Sequence, residues 1–581
     1  MIRLNNKLSN MTKKIIFTLS LIFALSFSVF VHADTIGESV SFNIQSDYDL
    51  NQRSEISAIY IEGNSILKFY VDSDFWSSLR YHEQRNIESS LTDLANEFKN
   101  NIYPTLTETF GFEWKPGVDD DEKITVLFHE MKGGASGYFN SGDEYKVIQI
   151  FDSNEREMVY LSPEYIGEEQ IKSFLAHEFM HLITFNRKEK EHNITEEIWL
   201  NESRSEYVPK LLGYEGLSID NVFRKRIETF VGNPNDSLCE WGEKEEDYGI
   251  INIFIHYLAE HYGINILVDS LNSNKTGIES INYALEKNGF EKRFSEIFTD
   301  WAIAILINDC GISPDYCYED ENLKNFKVVP SLNLMPLNGK SSLIVSDSTK
   351  NWSGKWYKFA GGRGDLEIMF AGSSNNIYKV PYVVKDFSGN IEVNFFELDS
   401  NQRGKISVSD FGKEILAVTV IPLLQTKTSD FLEEESSLPF IIEASTIAEP
   451  SISINFEKPI SDMSEEEILE KISQLEGITS QLKERIQELS PELGYSKFEN
   501  NLYFGMRENE VKKLQQFLSE QGEEIYPEKL VTGNFLSLTR QAVIRFQEKY
   551  ADEILTPLGL TEGTGYFGPS TRKKINKLLG Y

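Results

Sequence analysis

The sequence predicts a multidomain protein: an α+β domain, then an all-β sandwich, a helical linker and a small all-α module. Three observations carry that expectation. Its 581 residues are enough for roughly three to four domains. Hydrophobic residues make up 40% of the chain and aromatic residues 12%, ample for packed cores. The hydrophobic period also changes along the chain, from mixed, to short alternating runs between Gly, Asn, Asp and Ser turns, and back to helical spacing. The expected divisions are an N-terminal α+β lobe over 34–165, a helical lobe over 166–320, a sandwich over 325–457, a linker helix over 462–490 and a terminal module over 498–581.

Residues 1–33 read as a secretory signal peptide. Arg3, Lys7, Lys13 and Lys14 precede the apolar run 15–31, and Val31-His32-Ala33 offers a small-residue cleavage site before Asp34. The whole chain has a net charge of −34, and without those four cations the remainder stands at −38. Such acidity argues against nucleic acid and anionic membrane as partners and favours a soluble protein outside the cell. Three cysteines are too few for a disulfide framework. Cys310 and Cys317 could close a short loop in an oxidising compartment, which would leave Cys239 over.

Within 34–165, the alternation in Ile56-Ser57-Ala58-Ile59-Tyr60-Ile61 and Leu67-Lys68-Phe69-Tyr70-Val71 predicts a hairpin around Glu62-Gly63-Asn64. A polar helix is expected over 81–100, and short strands at 124–128 and 158–161. His82-Glu83 and His129-Glu130 lack a second histidine and are expected to be loop or strand-end residues. The acidic run 119–122 is expected to form an exposed turn rather than a calcium loop.

The chain has one His-Glu-x-x-His, His177-Glu178-Phe179-Met180-His181. Residues four apart stack on one helix face, so both imidazoles can address one metal ion. Glu178 lies roughly 100° round the helix, where it can reach a metal-held water without being a ligand. Ile171, Phe174, Leu175, Leu182 and Ile183 form an apolar stripe on a helix expected over 168–185. A second helix, expected from about 195, carries Trp199-Leu200-Asn201-Glu202 and then Glu206-Tyr207. Glu202 and Glu206 share a face, and on spacing alone either could be the third ligand.

These residues resemble the gluzincin group of zinc metallopeptidases, in which the glutamate of an Asn-Glu pair is the third ligand. The resemblance implies a zincin-like α+β metallopeptidase domain with one catalytic Zn2+ held by His177, His181 and Glu202. It also implies that Glu206 either supports a ligand or faces the substrate; Glu178 is the expected catalytic base, and Asn201, with Glu206, is expected to orient the ligands. The stretch from Asp247-Tyr248-Gly249 to His261-Tyr262-Gly263, with Phe294 to Ala302, is similar to hyicolysin-type secreted metallopeptidases. Thr184 and Arg187 stand where a metzincin needs glycine and histidine, which excludes that branch. The loop Gly133-Gly134-Ala135-Ser136-Gly137-Tyr138 lacks the glutamate clamp of zinc aminopeptidases, which favours an endopeptidase. Tyr248, with Tyr207 next, is the expected oxyanion donor.

Beyond Gly263, helices are expected over 278–287 and 294–307, with His256 and His261 on a helix surface. Strands are expected at 356–359, 366–370, 378–384, 391–395, 415–421 and 451–456. Residues 399–410 imitate a calcium loop, but Arg403 stands at a ligand position and a hairpin is expected instead. A heptad-like stripe from Ile468 to Leu489 predicts the linker helix. In the last module, Gly505 to Gln515, Val531 to Phe535, Thr539 to Gln547 and Gly565 to Arg572 resemble the small peptidoglycan-binding domain of wall-active secreted proteins. Gly533 and Gly568 are expected in tight turns, and Thr539 and Thr571 as helix caps.

The combined expectation is a secreted, bacterial-type zinc endopeptidase. It would act on protein or peptide substrates, be retained at the cell wall through peptidoglycan, and have no membrane contact after signal cleavage. Cutting of peptidoglycan cross-links, and a non-catalytic wall-binding protein, are the alternatives.

Overall fold

The computed structural model describes residues 35–215, 222–242, 244–335, 341–426, 437–447 and 497–579, apart from 504, 505, 507, 508, 528, 530, 532 and 559. The signal segment, the linker helix and the strand expected at 451–456 lie outside the described residues. Chain contacts divide the protein into two compact units, residues 1–225 with 254–294, and residues 226–253 with 295–581. The stretch anticipated as one helical lobe is therefore shared between them. No described helix is long and apolar enough to cross a membrane.

The first unit is built on a six-stranded sheet. Its strands are β1 (Ser39–Asn43), β2 (Glu55–Gly63), β3 (Leu67–Asp72), β4 (Ile124–Phe128), β5 (Gly137–Tyr138) and β6 (Met158–Leu161), in the order β1-β2-β3-β4-β6-β5. β1, β2 and β3 run antiparallel, β3-β4 and β4-β6 are parallel, and β5 returns antiparallel along β6. β3 and β4 are buried along their whole length, and their near-continuous apolar runs suit a sheet centre. β2 alternates over its first residues, as a strand with one covered face does.

The helix Tyr81–Glu97 passes into a π-turn, Phe98–Ile102. Phe98 there meets Phe179 edge-on with ring centroids 5.0 Å apart, and Tyr103 stacks on the same ring at 5.5 Å. Those contacts seat the helix Ile171–Phe185, which carries the His-Glu-x-x-His motif. This helix begins at Ile171 and not at 168, because residues 168–170 form a turn in which the Ile171 N–H donates to the Glu168 carbonyl at 3.2 Å. His82 and Glu83 lie in the first turn of Tyr81–Glu97, in place of the expected loop, and Glu83 pairs with Arg80. His129 ends β4, fully buried, with Nδ1 3.3 Å from Asp49.

In the second unit, β7 (Ser331–Met335), β10 (Tyr357–Gly361), β16 (Ile415–Val420), β13 (Pro381–Asp386) and β14 (Ile391–Phe395) pair in series. β15 (Arg403–Phe411), β11 (Gly364–Gly372), β18 (Ser437–Ile447) and β8 (Ser341–Lys350) form another series. A single bridge, Phe411 to Ile415, joins the two. Phe359, Val418 and Val420 from the first series share one buried core with Leu366, Ile368, Phe370, Phe440 and Ile442 from the second. The strand expected at 378–384 is broken, because Tyr378–Lys379 belongs to a separate three-stranded sheet and Pro381 opens β13. Trp356 precedes its strand and donates its indole N–H to the Ala302 carbonyl at 3.0 Å. Cys310 and Cys317 are bonded to each other, and Cys239 is a buried residue outside that disulfide.

Residues 498–579 carry the helices Asn509–Glu520, Ser537–Lys549, Ala551–Ile554 and Pro569–Leu578 around their own core. Thr539 and Thr571 are not caps, because each lies inside its helix, and each hydroxyl accepts a buried glutamine amide. Gln515 donates to Thr539 at 2.7 Å and accepts from the Gly533 N–H at 2.7 Å. Thirty-two residues further on, Gln547 donates to Thr571 at 2.9 Å and accepts from Gly565 at 3.0 Å. Gly533 and Gly565 take φ +77° and +71°, so Gly565, and not Gly568, is the second left-handed turn residue.

Candidate metal centre

His177 and His181 project from one face of Ile171–Phe185, their rings 4.9 Å apart and nearly perpendicular. Glu202 comes from the helix Ile198–Leu211 packed beside it. One Glu202 oxygen lies 3.2 Å from His177 Nε2 and the other 3.4 Å from His181 Nε2. One ligand atom from each of the three residues falls within 4.8 Å of the other two. Two imidazoles and a carboxylate form the donor set of a three-ligand zinc site with an open position, so these residues fit that ion.

The outer ring nitrogens are also engaged. His181 Nδ1 lies 3.2 Å from Asn201 Oδ1 and 3.4 Å from Ser205 Oγ. His177 Nδ1 lies 3.6 Å from Glu206 Oε1. At His181 a hydrogen bond from Nδ1–H leaves the Nε2 lone pair directed at the shared point, the usual way a ligating histidine has its tautomer fixed, whereas the Glu206 carboxylate acts on His177 by charge, beyond hydrogen-bonding distance. Asn201 and Glu206 thus face the histidines from behind. Burial opposes charge on His177, but the Glu202 hydrogen bond and the charges of Glu178, Glu202 and Glu206 lift its pKa to about 9. Burial, reinforced by Glu202 and Glu206 against the pull of His177, pushes Glu178 up to about 8.

The start of the second helix explains how Glu202 reaches the site. Glu196 and Glu197 stay extended, and the helix opens at Ile198 rather than 195. Glu196 is drawn inward to Arg204 Nη1 at 2.9 Å and Lys188 Nζ at 3.3 Å, all three buried. Lys188 sits in the π-turn Asn186–Lys190 that ends the histidine helix, and also donates to the carbonyls of Ser270 and Ser273. Arg204 is two residues past Glu202, so one buried ion cluster ties the two ligand helices together.

Three neighbours of the site carried no signal in the motif. Phe139 stacks on His181 with centroids 6.1 Å apart. Ser205 reaches the His181 ring. Gly137 in β5 lies so close that a Cβ there would stand 3.1 Å from Glu178 Oε1. An isolated glycine in a strand marks such a close approach, and that was the only cue available.

Tyr248 lies on the helix Glu245–Tyr262 in the second unit, edge-on to Trp241 at 4.9 Å, with the Arg226 guanidinium 4.4 Å from its ring centroid. Tyr207, in the first unit, packs against His256 at 5.3 Å. His256 is buried and 2.5 Å from Glu215, not on a helix surface, because the helix that carries it is apolar on nearly every side.

The chain is 26% identical over 244 residues to the neutral metalloprotease ShpI of Staphylococcus hyicus, a stretch of 37% of this chain and 52% of that one. The relationship is a distant one to a metalloprotease, and the chain spans about half of its relative's length. No protein-family model matches. Among solved structures, the pre-peptidase C-terminal domain of a Bacillus anthracis collagenase matches 20% of the chain at 10% identity and TM-score 0.15. The lysozyme inhibitor PliG of Aeromonas hydrophila matches 20% at 13% identity and TM-score 0.13. At those scores neither bears on the fold.

Proposed function

We propose that the chain is a zinc-dependent endopeptidase of the gluzincin type, with His177, His181 and Glu202 as ligands and Glu178 as the base. The convergence of those three side chains, beside a buried carboxylate, carries the reading. Zinc bound there supplies Lewis acidity, which makes water nucleophilic near neutral pH. Glu178 takes the proton of the attacking water and returns it to the leaving amine nitrogen. Asn201 holds the His181 imidazole in the ligating tautomer, and the Glu206 carboxylate faces His177 with its charge. Among the described strands β5 is an edge of its sheet, so an extended peptide adding to it would lie beside Glu178. Tyr207, on the helix that carries Glu202, is the proposed oxyanion donor.

Glu178→Gln tests the chemistry. The variant is expected to bind about one zinc per chain and to lose proteolysis by several orders of magnitude. Full activity in that variant would sink the assignment. Secretion through the N-terminal segment, and retention at the wall through residues 498–581, complete the proposal. That module also favours a second reading, in which the same site cuts peptidoglycan cross-links. Purified walls and unfolded protein, incubated separately with the enzyme, distinguish the two by which is digested.

A further inference from the structure

The connection between β5 and β6 begins with Phe139 against His181 and contains a second group of buried acids that the peptidase reading does not use. Glu144 ends the short 3-10 turn Ser141–Glu144 and is 1% exposed, and Glu157, just before β6, is 2% exposed. Their carboxyl groups face each other at hydrogen-bonding range. Glu157 Oε1 accepts the Val118 N–H at 2.6 Å. Glu157 Oε2 and both oxygens of Glu144 accept no hydrogen bond.

The charge of the nearby cation, Lys190, acts on both acids, but its ammonium does not hydrogen-bond their bare oxygens. Lys190 Nζ donates to the backbone carbonyl of Glu144 at 3.1 Å. It also stands over the rings of Trp114, Tyr145 and Phe185, at 3.6, 4.6 and 5.1 Å from their centroids. Asp143 and Asp119 add further negative charge beside the pair. Asp143 is itself held by Tyr160 Oη at 2.7 Å and the Asn154 N–H at 2.7 Å. The backbone is shaped around one of the acids: Gly117 takes φ +91°, and a Cβ there would fall 1.8 Å from Glu157 Oε2.

Buried carboxylates are paired or coordinate metals, because their desolvation is otherwise uncompensated. A shared proton would serve one contact between the two groups and leave the other oxygens bare. Oxygen-only donors of this charge select a hard ion, and calcium accepts flexible carboxylate sets where magnesium demands a near-ideal octahedron. We propose that Glu144 and Glu157 form a second cation site, for a divalent ion of the calcium class, which pins the β5–β6 connection next to the metal centre. Burial pushes both carboxyl groups above their ordinary range, Glu157 to about 7, a shift that a bound cation would reverse.

The test uses the full chain stripped of metals, reloaded with one equivalent of zinc and titrated calorimetrically with calcium chloride. Hydrogen exchange of residues 139–157 is followed in parallel. One calcium per chain is expected, with exchange in that segment slowed by at least about tenfold. Glu144→Gln with Glu157→Gln should abolish calcium binding while zinc content stays unchanged, since two amides can hydrogen-bond each other in the same space. Absence of calcium binding by the unaltered chain, or binding that survives the double substitution, would overturn the proposal. So would protection that rises with acid and ignores calcium, because the pair would then hold a proton.

Discussion

Each metal-facing histidine has a partner on its far side, and the two partners differ in kind: a neutral amide behind His181 and a carboxylate behind His177. Asn201→Ala and Glu206→Gln are therefore expected to weaken zinc binding by about 10–100-fold each, measured by competition with a chromophoric chelator. Unchanged affinity in both would mean that the outer nitrogens do not matter. Gly137 is the residue-scale constraint on substrate. A side chain there would meet the Tyr160 carbonyl at 2.7 Å and crowd Glu178. Gly137→Val should lower kcat/KM by at least about tenfold with zinc content preserved, and parallel loss of both would point to misfolding instead.

At the scale of elements, the two ligand helices depend on a buried cluster of three charges. Replacing Glu196 by Gln leaves Lys188 and Arg204 without their counter-charge in the interior. The expected cost is about 3–5 kcal/mol in urea unfolding, and a loss below about 1 kcal/mol would show the cluster to be dispensable. This cluster was not legible in the sequence. Nothing marks Lys188, Glu196 and Arg204 in the sequence, because their ion pairs span eight residues across the break between two helices, a spacing with no helical or strand period, and their other partners, among them the carbonyls of Ser270 and Ser273, come from distant chain. The histidine pair was legible because a four-residue helical spacing is local, and Glu202 because it stands in an Asn-Glu context that resembles a metallopeptidase motif, on a helix the sequence also predicts. The hairpin of β2 and β3 was likewise written in alternation and a turn. The long strands β8 and β18 were missed because each carries an apolar triplet, Leu343-Ile344-Val345 and Phe440-Ile441-Ile442, whose middle residue is exposed and hides the period of two, and β15 was half seen as a hairpin. Helix starts were shifted by local events, the turn at 168–170 for one and the burial of Glu196 for the other.

For the molecule as a whole, charge is the dominant feature, and some of it works through pH. Burial alone would raise the Asp49 pKa, but Arg53 hydrogen bonds to its carboxylate and the group sits near 2, below its ordinary 3.8. Because the folded pKa is the lower one, this contribution to stability is fully present above about 3.8 and disappears as the pH falls through about 2. Thermal unfolding followed between pH 6 and 2 should show a loss that Asp49→Asn no longer shows. The terminal module gives the other whole-molecule expectation. A chain ending before Phe498 should digest an unfolded protein as fast as the full chain but no longer sediment with purified cell walls. Co-sedimentation of the shortened chain would place the wall contact elsewhere.

The central claim concerns one ion and three side chains. The most direct measurement is anomalous diffraction at the zinc edge from crystals of the zinc-loaded protein. The account predicts a single strong peak among His177 Nε2, His181 Nε2 and a Glu202 oxygen, at about 2.0–2.2 Å from each, and its loss in Glu202→Gln. A peak elsewhere, or none between these residues at saturating zinc, would contradict it.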